Sequence, residues 1–211
     1  IINMIEKKQF QLWMKITLAI VGGLYAIVLS GLILLLKNKE WLINTGWIKD
    51  QFAAGNLQAD VNWTGYEALI GLLLLLSLIT SFILHKKDRI RWPIYSIFIG
   101  SLLFAFTSII FLTKKTEGHS QNSAIEFYKF HQDEDCYIIT LGFKSYAHLF
   151  YAKKPEPDNP YSYDKDWLLN GKVDKTVYAV TKNYKKAKYE KLYPSLKLLY
   201  EKNGFVFYRR N

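Results

Sequence analysis

The chain is poor in cysteine and, over long stretches, in charge. Its single cysteine, Cys136, excludes an intramolecular disulfide and a CxxC metal-binding pair. The sequence also has no glycine-rich phosphate-binding loop and no GxSxG nucleophile motif. Three long runs lack Asp, Glu, Lys and Arg entirely, so the polar residues that mark an ion path through a membrane are missing from them. These absences argue against a disulfide-stabilised fold and against a transporter subunit.

The three uncharged runs each predict a membrane-spanning helix. Residues 16–36 would form a helix of about 32 Å, which exceeds a hydrocarbon core of roughly 30 Å. Residues 68–84 are fewer, but Trp, Tyr and Lys residues flank them as interfacial anchors do. Residues 92–113 begin with Trp-Pro, and a proline in the first helical turn gives up no needed hydrogen bond. We therefore expect residues 1–115 to be an all-α membrane half with three transmembrane helices.

A cleavable signal peptide is the alternative interpretation of the first run. That run is longer than the apolar core of a signal peptide, and no A-x-A cleavage site follows it. Two further spans come after it, which favours a membrane-spanning helix.

Basic residues in the short loops predict the orientation of these helices. They are concentrated before the first run and between the second and third runs, at Lys7, Lys8, Lys15, Lys86, Lys87, Arg89 and Arg91. Basic residues are sparser in the intervening loop, so the first side is expected to be cytoplasmic. Three crossings then place the C-terminal half outside the cytoplasm.

The loop over residues 38–62 combines aromatic and polar residues. Trp41, Trp47 and Phe52 lie within it and Trp63 follows it. This composition is typical of a short helix in the outer headgroup region, and we expect membrane lipid to be its partner.

From residue 116 onward, short periodic segments alternate with turn signals. Residues 123–130 predict a helix, 136–141 a buried strand and 146–153 a second helix. The remaining predicted elements are a short helix ending at Asn170-Gly171, a strand over 176–181, and a type I′ hairpin with Asn203-Gly204 between 196–202 and 205–208. Strand, helix, short helix and strand in this order indicate a parallel pair with a crossover. Residues 116–211 are thus predicted to form a small α/β domain with a mixed sheet.

Candidate catalytic and metal-binding residues are few in this half. His119, His131 and His148 lie near Cys136 and the acidic residues 133–135, but no pair has the spacing of metal ligands on a predicted helix. A nucleophilic pair of Cys136 and His148 would need a geometry that spacing does not indicate. We expect neither a metal nor a cofactor.

A basic segment with interleaved tyrosines runs over residues 182–197. Such a segment can bind nucleic acid, anionic headgroups or sugar phosphates, and it is also typical of a solvated helix face. Outside the cytoplasm nucleic acid is not an expected partner, which leaves the solvated face and the anionic lipids or lipid-linked sugar phosphates of the bilayer.

Two segments of the C-terminal half carry a resemblance to a known family. The sequences TLGFKSYAHLFYAKKP at 140–155 and DWLLNGKVDKTVYAVTK at 166–182 resemble the C-terminal region of bacterial membrane glycosyltransferases of family 39. That family includes the aminoarabinose transferases that act on lipid A and relatives of the protein O-mannosyltransferases. The resemblance covers roughly residues 120–210 by motif, and the preceding spans only by layout.

The resemblance implies a GT-C enzyme of the inner membrane, with its C-terminal domain in the periplasm. Such an enzyme transfers a sugar from a polyprenyl-phosphate donor to a lipid A-like, other lipid or protein acceptor outside the cytoplasm. The family's catalytic acidic residues lie in loops after its first membrane helices. Those loops have no counterpart here, so the chain, which opens with Ile-Ile-Asn-Met, is interpreted as a C-terminal fragment that works with the remainder of the same polypeptide. The alternative is a non-catalytic, membrane-anchored binding or scaffolding protein.

Four residues are predicted to form the substrate-binding or docking face of the outer domain. Lys144, Tyr146, His148 and Tyr151 form a polar and aromatic set on one short segment. We expect this set to face the membrane or the catalytic portion of such an enzyme.

The predicted sidedness can be tested with reporter fusions. Alkaline phosphatase fused after Asn211 is expected to be active, because three crossings carry the C-terminus to the outer face. A fluorescent protein that folds only in the cytoplasm is expected to stay dark at the same position, and to fluoresce when it is fused after Lys86. Cytoplasmic fluorescence after Asn211 would contradict the orientation.

Overall fold

The computed structural model describes residues 12–86, 91–156 and 159–211. Lys7, Lys8, Lys87 and Arg89, which contribute to the predicted orientation, lie outside the described residues. The chain divides into two compact units. The first comprises Ile1–Leu42 and Asn62–Thr116, and the second comprises Ile43–Val61 and Glu117–Asn211.

The helices in chain order are α1 (Leu12–Lys37), α2 (Lys39–Asn44), α3 (Gln51–Leu57), α4 (Leu69–Lys86), α5 (Trp92–Gly118), α6 (Asn122–Phe130), α7 (Ala147–Ala152), α8 (Lys165–Asn170) and α9 (Lys186–Leu192). The strands are β1 (Cys136–Leu141), β2 (Thr176–Lys182), β3 (Lys197–Lys202) and β4 (Phe205–Arg210). Short 3₁₀ segments occupy Tyr66–Ala68, Pro160–Tyr163 and Asn183–Lys185.

Within the described ranges, α1, α4 and α5 are long and apolar enough to cross a membrane, judged by length and composition. All three predicted spans are therefore confirmed as long apolar helices. The third one extends further than predicted, because α5 continues through Lys114 and Lys115 to Gly118. Long lysine side chains can reach away from an apolar helix surface, so their charge does not end the helix.

Small residues bring α1 and α4 together. A Cβ atom added to Gly71 would collide with the Ser30 side chain and the Ala26 carbonyl, and one added to Gly22 would lie 2.6 Å from a Leu78 methyl. Gly22, Ala26 and Ser30 of α1 thus line a contact with α4, where small side chains allow two backbones to approach closely.

A buried carboxylate joins the start of α4 to the end of α5. Glu67 accepts hydrogen bonds from Thr64 Oγ1 at 3.0 Å and from the Gly65 amide at 2.9 Å, and it forms an ion pair with Lys115. Lys115 also donates to the Asn62 carbonyl at 2.7 Å. A buried carboxylate is tolerated where such partners replace water, so this network accounts for a charge at the edge of an apolar unit.

The second unit contains a four-stranded mixed sheet in the order β1-β2-β4-β3. β1 and β2 are parallel, as predicted, whereas β4 is antiparallel to both of its neighbours. Asn203 and Gly204 both have positive φ angles, of 49° and 82°, which the predicted type I′ turn requires. The prediction of a small mixed α/β sheet is confirmed.

Both faces of this sheet are covered by apolar side chains. Val177, Ala179, Val206 and Tyr208 point to the cluster beneath α8 and α9. The alternate residues of the same two strands point to the opposite face, where they join the cluster beneath α6 and α7. These residues are Tyr178, Val180, Phe205 and Phe207. Because side chains alternate along a strand, the continuous apolar runs of β2 and β4 supply two cores at once.

A buried arginine closes the short helix α8. Arg210 donates to the Leu168 carbonyl at 2.7 Å and to the Gly171 carbonyl. The predicted glycine stop is present at Gly171, but its φ of −77° is an ordinary extended value rather than a left-handed one. The carbonyls at this end are therefore satisfied by the last strand of the sheet.

The loop helix α3 packs against the sheet of the second unit. The Phe52 ring meets Phe205 edge to face at 5.1 Å between centroids, and Lys182 Nζ lies 4.3 Å from the Phe52 centroid. A Cβ on Gly55 would lie 2.6 Å from Gly204 Cα, so only a glycine allows this helix to approach the hairpin turn. The sequence predicts that loop 38–62 belongs with the membrane helices, whereas in the structure its part over Ile43–Val61 shares a compact unit with the sheet.

Phe52→Ala is expected to destabilise the second unit by about 2 kcal/mol, because a half-buried aromatic contact with the core is lost. The buried thiol of Cys136, the only one in the chain, provides the measurement. The thiol is labelled with a maleimide over a series of urea concentrations, and the midpoint of labelling should shift to a lower urea concentration in the variant. Phe130→Ala removes a ring that is 78% exposed and serves as the matched control. Equal midpoints for the two variants would contradict a structural role for α3.

Candidate functional site

The four predicted site residues lie on and just before α7. Lys144 and Tyr146 are exposed, whereas His148 and Tyr151 are only partly exposed. Tyr146 is the residue that precedes the first helical turn, and its carbonyl accepts from the Leu149 and Phe150 amides at 3.1 and 3.2 Å. The structure thus places all four on one short segment but divides them between two sides of it.

The outer side of α7 is unusually apolar for the surface of a sheet domain. Tyr146, Leu149 and Phe150 are 82%, 61% and 73% exposed. Residues three and four apart share one helix face, so these three side chains form a single patch, named here the α7 outer face. Grouped exposed apolar side chains of this kind mark contact surfaces for membranes or proteins.

The inner side of α7 packs on the sheet. Ala152 is buried, and Tyr151 packs against the same core cluster with Lys129 Nζ 5.0 Å from its ring centroid. The His148 ring lies 6.1 Å from that of Tyr128. Burial lowers the pKa of His148, since a desolvated imidazole resists protonation. His148 and Tyr151 therefore support the position of α7, and the exposed part of the predicted set is Lys144 and Tyr146.

The basic segment over residues 182–197 is largely engaged in contacts within its own unit. Lys182 lies over Phe52, Lys185 donates to the Gly142 carbonyl, and Lys186 forms an ion pair with Glu201 at 2.5 Å. Tyr189 and Tyr193 stack at 6.2 Å between centroids and pack with the apolar cluster beneath α9. These contacts favour the structural interpretation of the segment over the ligand-binding one.

A polar cluster that no sequence pattern predicts lies between α6 and β1. His131 Nδ1 lies 2.9 Å from Glu134 Oε1, and the Tyr178 hydroxyl donates to Glu134 Oε2 at 2.9 Å. The His131 and Tyr178 rings are 3.9 Å apart between centroids. Tyr178 is on the neighbouring strand, 44 residues further along the chain, so no local spacing could reveal the contact.

The electrostatics of this cluster stabilise an ionised carboxylate. Burial by itself would raise the pKa of Glu134, but the hydrogen bonds with His131 and Tyr178 hold it below the ordinary value. Burial, together with the adjacent Glu134, raises the pKa of Tyr178 to about 12. The cluster thus joins the turn after α6 to the sheet.

The cysteine beside this cluster is not poised for nucleophilic chemistry. Burial raises the pKa of the Cys136 thiol, which disfavours the reactive thiolate. Lys154 donates to the carbonyls of His131, Gln132 and Glu134.

Across residues 12–86, 91–156 and 159–211, no group of three or more His, Cys, Asp or Glu side chains has the geometry to hold a metal ion.

The comparisons with known proteins add no relative. No protein-family model, no curated protein and no solved structure matches the chain. By its fold, the chain combines three long apolar helices with a small domain built on a mixed sheet.

Glu134→Gln is expected to lower the stability of the second unit by about 1 kcal/mol at pH 7, because the amide lacks the charge that strengthens both hydrogen bonds. A carboxyl whose pKa is lower in the folded than in the unfolded state stabilises the fold above the unfolded pKa of about 4.3. That contribution disappears as the pH falls through the folded pKa. Urea unfolding followed by intrinsic fluorescence measures the free energy of unfolding. The difference in this free energy between the variant and wild type should therefore narrow below about pH 4.

The exposed Glu156→Gln is the matched control, and it should resemble wild type at every pH. A Glu134→Gln difference that stays constant down to pH 3 would contradict the ionised hydrogen-bonded cluster.

Proposed function

We propose that this chain is the C-terminal part of an integral-membrane glycosyltransferase that uses a polyprenyl-phosphate sugar donor. The acceptor is a lipid A-like molecule or another acceptor outside the cytoplasm. The three apolar helices cross the inner membrane, and the sheet domain lies on the extracytoplasmic side. The catalytic residues belong to the part of the polypeptide that precedes this chain.

The observation that carries this proposal is the position of the two segments that resemble family 39 transferases. Residues 140–155 include the end of β1 and all of α7, and residues 166–182 include most of α8 and all of β2. β1 and β2 are parallel neighbours, with Thr140 opposite Val180. The resemblance therefore covers one contiguous part of the fold, which supports common ancestry better than two unconnected surface segments would.

The α7 outer face is the docking surface in this proposal. Its rings and Leu149 suit a lipid interface or the transferase portion that binds the isoprenoid donor, since aromatic side chains combine an apolar body with a polar tip. Lys144 lies next to this face in sequence and supplies positive charge that suits a donor phosphate. The domain contributes positioning in this role, and no proton transfer or bond cleavage is assigned to it.

A membrane-anchored binding protein without chemistry is the second candidate. It is favoured by the same exposed face, because a partner protein could cover Tyr146, Leu149 and Phe150 just as a transferase could. The two candidates differ in whether the face affects sugar transfer.

A substitution series in the complete polypeptide tests the proposal. Phe150→Ser and Tyr146→Ala are expected to lower the rate of sugar transfer from polyprenyl phosphate about tenfold, because removal of one such aromatic contact costs about 1–2 kcal/mol. The measurement is the transfer of labelled sugar in membranes that contain equal amounts of each protein. Tyr163→Ala removes a similarly exposed ring elsewhere in the domain and should leave the rate unchanged.

One result would overturn the transferase proposal, and another would overturn the docking role of the α7 outer face. One is a reading frame that begins close to Ile1 without further hydrophobic spans, which would favour the anchored binding protein. The other is full transfer by the double variant of Tyr146 and Phe150, which would remove the docking role of the α7 outer face.

A further inference from the structure

The first compact unit contains a cleft between its three apolar helices. The cleft has a volume of about 600 Å³ and lies between the first half of α1, the end of α4 and the first half of α5. Residues such as Leu18, Phe82 and Ile97 line it. Its volume falls within the range of cavities that bind small molecules, so it is large enough to hold a ligand.

The lining of the cleft divides into an apolar body and a polar end. Leu18, Val21, Phe82, Ile94, Ile97 and Phe98 form the body. Lys15 and His85 also line the cleft, and they flank the uncharged runs, since Lys15 directly precedes residues 16–36 and His85 directly follows residues 68–84. Pro93, the second residue of α5, is part of the same end. The three helix ends therefore place an ammonium and an imidazole at one mouth of an apolar cleft.

Such a cleft matches a molecule with an alkyl chain and an anionic head. An alkyl chain brings no polar atoms that would lack a partner in the apolar body. A phosphate at the mouth can accept hydrogen bonds from Lys15 and His85. Helix ends of membrane spans lie at the depth of the lipid phosphates, so the charges on ligand and protein would meet at the same level.

The volume separates two kinds of anionic lipid. At about 30 Å³ for a water-sized group, the cleft holds about 20 such groups. One fatty-acyl chain has that size, whereas the isoprenoid chain of a polyprenyl phosphate is several times longer. The cleft therefore has room for a whole acyl chain of an ordinary membrane phospholipid, but for only part of the isoprenoid chain of the proposed transferase's donor.

We propose that this cleft binds one acyl chain of an anionic phospholipid, with the lipid phosphate held by Lys15 and His85. The site is separate from the α7 outer face and stands whether or not the chain is part of a transferase. It would fix the three helix ends against each other from the headgroup side of the bilayer.

Native mass spectrometry of the purified chain in detergent tests this site. Titration with phosphatidylglycerol should show one tightly retained lipid, bound about fivefold more weakly by Lys15→Gln. Lys86→Gln removes a charge from the same end of α4 without altering the cleft lining, and it should bind as wild type does. Ser101→Phe fills the cleft from α5 and should abolish retention of that lipid. Unchanged helix content by circular dichroism shows that each variant is folded.

Three outcomes would overturn the assignment. Equal retention of phosphatidylglycerol and phosphatidylcholine would mean that no anionic headgroup is recognised. Equal losses in Lys15→Gln and Lys86→Gln would mean that general surface charge binds the lipid. Tighter retention of undecaprenyl phosphate than of phosphatidylglycerol would replace the phospholipid by the isoprenoid donor.

Discussion

The apolar surface of the three long helices is the constraint on which the rest of the structure depends. In the most apolar 18-residue stretch of each long helix, only a small share is buried within the protein. This share is 11% for α1, 33% for α4 and 6% for α5. Water would impose a large free-energy cost on the remaining surface, whereas hydrocarbon would not. In a bilayer these helices can pack through small residues such as Ala26 and Gly71, because lipid would cover what protein contacts leave exposed.

The second unit follows the opposite logic and buries its apolar residues on both faces of a small sheet. Val177 and Tyr178 are adjacent in β2, yet they belong to different core clusters. Both faces of this strand are apolar and need helices packed on them, and most of these helices come from the C-terminal segment of the chain. Phe52 comes from the loop between two of the long helices and packs against the core cluster that contains Tyr178. The two units are thus interleaved along the chain, so folding of the second requires a residue that is translated between parts of the first.

Local patterns were sufficient to predict most elements of the sheet domain. The run of β-formers over Cys136–Leu141 predicts β1, and Asn203-Gly204 predicts the hairpin turn, because each depends on residues next to each other in sequence. The candidate site was harder to predict. Tyr146 and His148 are two residues apart, and spacing alone did not indicate that one would be exposed and the other would pack near Tyr128.

The amino-acid sequence by itself determined the three apolar helices, the strand segments along the chain and the hairpin turn, since these depend on hydrophobic run length and short-range turn chemistry. Only the tertiary structure decided which surfaces remain free. It brought Glu134 to Tyr178 and Phe52 to Phe205, contacts between residues that are far apart in the chain. It also left Phe150 uncovered, because the exposure of a helix face depends on what the rest of the chain packs against it.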